Sequence, residues 1–97
     1  MADYKEVGIG IASLLASPNT PNPFNLTLRG QSLLEAANIV AAVLDECGAA
    51  GIALEKVELD PALYAELKRR IADDQLLDSN ADLHGEVSFL RPSLNVR

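Results

Sequence analysis

Apolar positions recur at intervals of three and four across residues 32–48: Leu33, Ala36, Ala37, Val40, Val43, Leu44 and Cys47. That spacing lays them along one stripe of an α-helix. Ser32 opens the run and Glu35 follows three positions on. This is the spacing of a capping box: the serine oxygen accepts from the third helical amide and the glutamate reaches back to the serine amide. Gly48 supplies the left-handed residue expected to end the helix. Ile39, Ala41 and Ala42 widen the apolar side beyond an ordinary surface stripe and leave Glu35, Asn38, Asp45 and Glu46 on a narrow polar face. A helix this apolar is covered on more than one side. Two arrangements satisfy that requirement. The helix is buried in one small core, or it is shared between two chains, with Ala41 and Ala42 letting a second backbone come close.

The other elements are read around this helix. Residues 3–16 carry a helical stripe (Tyr4, Val7, Ile11, Leu14 and Leu15), with Asp3 and Glu6 as a capping pair. They also carry a strand-like alternation of Val7, Ile9 and Ile11 with Gly8 and Gly10. The pattern favours a helix through Ala16, although each glycine costs it about 1 kcal/mol relative to alanine. Residues 17–23, Ser-Pro-Asn-Thr-Pro-Asn-Pro, read as a connector with restricted backbone. Phe24, Leu26 and Leu28 alternate with Asn25 and Thr27 as a short strand, ended by Arg29 and Gly30. Residues 49–51 form a small-residue turn, and 54–59 alternate as a second strand. Asp60 and Pro61 then open a helix as N-cap and first-turn residues. Leu63, Leu67 and Ile71 stack along it, Glu66 lies one turn before Arg70, and Lys68, Arg69 and Arg70 suit its C-terminal dipole. Residues 73–85 read as an acidic loop with a helical turn at 75–78. Residues 85–90 read as a strand with Val87 and Phe89 on one face. Leu94 and Val96 alternate in the tail and extend the sheet or dock elsewhere.

This order predicts an α+β fold, a sheet of two to four strands packed against two or three helices, as a single domain over residues 1–97. If the strands at Val57 and Val87 are adjacent and parallel, the helix between them makes a right-handed crossover. The string 57–71, a strand running into Asp-Pro and an amphipathic helix, is loosely similar to small accessory proteins of bacterial and phage genomes. The motif is generic and defines no family.

Composition narrows the function classes. The chain has 97 residues, 48% of them hydrophobic, which argues against disorder; aromatics are only 4%, so the core is aliphatic and stacking platforms for single-stranded nucleic acid are disfavoured. Net charge is −6, from 14 acidic and 8 basic side chains. That sign disfavours direct contact with nucleic acid or an anionic membrane and is compatible with a basic protein partner. The single cysteine, Cys47, excludes an intramolecular disulfide and falls on the apolar helix face as a packing residue. The apolar stretch 7–16 has signal-peptide length but acidic flanks, so it reads as part of the mature fold, and the protein as cytoplasmic.

Candidate chemistry is sparse. Gly8-x-Gly10 lacks the third glycine, the preceding strand and the following basic residue of a phosphate loop. Asp78-Ser79-Asn80-Ala81-Asp82 begins like a calcium loop, but its sixth position is Leu83 and its twelfth is Phe89, where glycine and a bidentate glutamate are needed. His84 is the only histidine and has no local partner set. The Lys68–Arg70 run reads as helix-end stabilisation, or as a contact to an acidic partner. The sequence therefore predicts no enzyme and no cofactor or metal. It predicts a small acidic protein working through a protein partner or self-association, with Ala41 and Ala42 as interface positions. The alternative is an acidic inhibitor or nucleic-acid mimic using Asp74, Asp78 and Asp82 against a basic surface. A second alternative is a weak divalent-cation domain at Asp78–Asp82.

Overall fold

The computed structural model describes residues 4–28, 30–71, 76–81, 83 and 85–92. Three helices and four strands follow one another: α1 (Tyr4–Ala16), β1 (Phe24–Thr27), α2 (Leu33–Ala50), β2 (Lys56–Leu59), α3 (Pro61–Lys68), β3 (Leu77–Ser79) and β4 (Glu86–Leu90). They make the small α+β domain that the sequence pattern predicts, with a mixed sheet of order β1-β4-β2-β3.

The hydrophobic pattern fixes which face of the sheet is covered. Phe24, Phe89, Val57 and Leu77 stand side by side across the four strands, and Leu26, Val87 and Leu59 form the next row. Val57, Leu59, Val87 and Phe89 are fully buried and share one core with Leu15 of α1, Val40 and Val43 of α2 and Leu67 of α3. The three helices thus form one layer on this face. α2 packs against both α1 and α3 within that layer. Most of its wide apolar surface is covered inside the chain, with the sheet beneath and one helix on each flank, while Leu33 and Leu34 at its start stay exposed.

The α1–α2 seam depends on one glycine. A Cβ at Gly8 would sit 2.7 Å from the Ala42 carbonyl oxygen and 2.8 Å from its carbon. Close approach here rotates α1 so that its small residues face inward. Gly8, Ile11, Ala12 and Leu15 are buried, whereas Val7 and Leu14 of the expected stripe stay exposed.

Five expectations are corrected. α2 begins at Ser32 as predicted: Ser32 Oγ accepts from the Glu35 amide at 3.1 Å and its hydroxyl donates to Glu35 Oε1 at 3.3 Å. It does not end at Gly48. Ala49 and Ala50 carry the helix on, and Gly51, with φ +73°, is the left-handed cap. Gly51 then donates to Gly48 O and Ile52 to Cys47 O, the paired bonds of a Schellman turn. Second, β2 is shorter than the 54–59 pattern, and Leu54 packs against the core from outside it. Third, the helical turn expected at 75–78 is replaced by β3, because Leu77 finds a place beside Val57 in a parallel ladder. Fourth, β2 and β4 are adjacent but antiparallel. Residues 80–85 are too few for a crossover, so the chain reverses after β3 and runs against both parallel strands. Fifth, Asp60 and Pro61 open α3 as N-cap and first-turn residues as expected, but the Asp60 side chain makes no capping hydrogen bond. Its Oδ2 instead accepts from the Gly85 amide at 2.7 Å, tying the start of α3 to the start of β4. Asp3 of the expected capping pair and the tail strand at Leu94 and Val96 lie outside the described residues.

Candidate interaction face and binding cleft

The residues that alternate with the core rows define the opposite side of the sheet: Asn25 and Thr27 on β1, Glu86, Ser88 and Leu90 on β4, Lys56 and Glu58 on β2, and Asp78 on β3. Among the described elements no helix lies on this side. Asn25, Thr27 and Asp78 are exposed, while the small Ser88 in the middle is only 5% exposed. The centre of the face is therefore low and its rim polar. Lys56 Nζ lies 3.2 Å from Asp78 and 3.5 Å from Glu58. The hydrogen bond and charge of Asp78, with Glu58 behind them, hold the Lys56 ammonium above its ordinary pKa. Glu58, Asp78 and Glu86 against Lys56 give this face the sign of the whole molecule.

A second feature lies at the joined ends of α1, the 17–23 connector, α2 and β4. The prolines of the connector, at 18, 21 and 23, have no N–H, so the segment offers carbonyls in excess of donors. Arg91, just past β4, supplies what is missing. Its Nη1 donates to Leu15 O at 3.1 Å and Ser17 O at 2.9 Å, and its Nη2 to Pro21 O at 3.0 Å and to Thr20 O. Its backbone exchanges two bonds with the Asn22 side chain, at 2.9 and 3.2 Å. α1 has no basic residue in its last turn, and Arg91 brings a positive charge to its C-terminal carbonyls from across the fold. Beside this clamp lies a cleft of about 580 Å³ lined by Leu15, Ala16, Pro18, Ile52, Ala53 and Pro92 as well as Asn22 and Arg91.

The sequence-predicted site residues separate. Ala42 lies in the α1–α2 seam against Gly8, and Ala41 packs against the core from partial exposure. Asp78 is on the open sheet face. Asp74, Asp82 and His84 lie outside the described residues. Asp78 and Ser79 are extended in β3 against β2, and the described residues contain no group of three metal-ligating side chains. The basic run is taken up locally: Arg69 and Arg70 lie 3.9 and 3.4 Å from Glu66, Arg70 also donates to Asn38, and Lys68 lies 5.2 Å from the Tyr64 ring centroid. Cys47 is buried in the core, where desolvation, with Glu46 second, raises its thiol pKa. Burial makes it a packing residue of the core.

Arg91 and Asn22 are the residues that the sequence pattern did not single out. Their signal was the excess of carbonyls in a proline-rich loop, which requires a donor from elsewhere. The geometry defines a small α+β domain whose helices cover one side of a mixed sheet. No protein-family model, curated protein or solved structure matches the chain.

Proposed function

We propose that this protein is a non-enzymatic interaction module that meets a basic protein partner through the open face of its sheet. The observation that supports this is the row Asn25–Ser88–Glu58–Asp78, with Glu86 beside it, on the side away from the helices. Long-range attraction from a net charge of −6 steers a basic partner toward such a face. A one-sided sheet also presents polar residues to water for solubility alone, so the test turns on charge. Wild-type protein and the triple variant Glu58→Lys/Asp78→Lys/Glu86→Lys are used as baits in the same lysate. The proposal expects the wild type to retain a basic protein that moderate salt releases, and the triple variant to lose it. Equal retention by both baits refutes it. Release of the captured protein by added oligonucleotide would identify this face as a mimic of a phosphate backbone.

Self-association is the second reading. It is favoured by Val7, Ile9, Leu14, Leu33 and Leu34, which are 42–58% exposed on α1 and α2. Sedimentation that shifts with protein concentration supports it, and a constant monomer mass removes it.

A further inference from the structure

We propose that the cleft beside Arg91 is a binding site for a small aliphatic carboxylate. The Arg91 guanidinium is held in place by carbonyl groups, which accept its hydrogen bonds but carry no net charge. Among the described residues no carboxylate forms an ion pair with it. Its fifth N–H, on Nε, is buried and has no acceptor. A partly buried cation with one unmet donor is costly, and a carboxylate supplies both the missing charge and the missing acceptor. The rest of the wall selects the remainder of the ligand. Leu15, Ala16, Pro18, Ile52, Ala53 and Pro92 offer hydrocarbon, and a cleft of about 580 Å³ has the size of a small-ligand site. Nε is closed to water, so its pairing with the ligand requires a local opening beside the guanidinium.

The test uses the whole chain and octanoate as the probe, with octanol and octylamine as controls. Amide chemical shifts are followed together with thermal unfolding. The inference expects saturable shifts at Leu15, Thr20, Ile52 and Arg91 with octanoate alone, and a rise in melting temperature. Ala53→Trp fills the mouth of the cleft from an exposed position and leaves the clamp intact. It is expected to weaken octanoate binding by roughly tenfold or more, a change of about 1.4 kcal/mol. Absence of shifts at millimolar octanoate overturns the inference. So does an equal response to octanol or octylamine, or binding that Ala53→Trp leaves unchanged. The outcome is independent of the sheet-face proposal, which uses other residues.

Discussion

Replacing Gly8 by alanine tests the packing that sets the position of α1. The new Cβ would lie 2.7 Å from Ala42 O, whereas ordinary contact begins at 3.4 Å, a shortfall of about 0.7 Å. The obstacle is backbone in the middle of α2, so no side chain can turn aside. α1 must move away, loosening Ile11, Ala12 and Leu15 in the core. Overpacking of this kind costs about 1–3 kcal/mol, and the gain in helix propensity returns about 1 kcal/mol. Gly10 is the internal control. It lies in the same helix with nothing within 4 Å of its added Cβ, so Gly10→Ala keeps the propensity gain of about 0.5–1 kcal/mol. The two variants share that gain and should therefore differ by the overpacking cost, about 1–3 kcal/mol, with Gly8→Ala the less stable, a separation of roughly 4–24 °C in Tm for a domain of this size. Thermal and urea unfolding followed by circular dichroism measure it. Equal stability of the two variants would refute the close α1–α2 approach.

Other outcomes follow from single sites. Gly51→Ala should destabilise by about 1 kcal/mol or more because φ is +73° there, while Gly48→Ala, inside the helix with open space around its Cβ, should stabilise by about 0.5–1 kcal/mol; urea unfolding of both locates the true end of α2. Arg91→Lys keeps the charge but loses the planar fork, and should destabilise by about 2 kcal/mol or more by leaving several connector carbonyls without donors; unchanged unfolding would contradict the clamp. The Cys47 thiol is raised in the folded protein by burial and then by Glu46, so its contribution to stability is present below the ordinary thiol pKa and is lost as pH rises through the folded value. Unfolding midpoints should fall across alkaline pH in wild type and fall less in Cys47→Ala. Thiol labelling at neutral pH should proceed only at the rate of opening.

The sequence pattern reached furthest where local chemistry and burial agree. Ser32 with Glu35 marked a helix start that is observed, and Val87 and Phe89 marked a strand facing the core. It fell short where tertiary packing decides between local options. Gly48 and Gly51 are both able to end α2, and only the second is followed by Ile52, which packs against the core. Leu77-Asp78-Ser79 has little strand character alone and becomes β3 because β2 offers it a ladder. Ala41 and Ala42 read as positions that let another backbone come close, within one core or between two chains, and only the tertiary fold shows that α1 meets Ala42. The acidic side chains of β2, β3 and β4 are scattered in sequence, at Glu58, Asp78 and Glu86, and only strand order brings them to one face. Arg91 was invisible for a similar reason: its partners lie some 70 residues away.

The most direct test of the sheet-face account is the footprint of the captured basic partner on this protein, mapped by amide exchange or chemical shift. The account predicts protection at Asn25, Thr27, Glu58, Asp78 and Ser88, with the helical layer unchanged. A footprint on Val7, Leu14, Leu33 and Leu34, with the sheet face silent, would contradict it and move the interaction to the opposite side of the molecule.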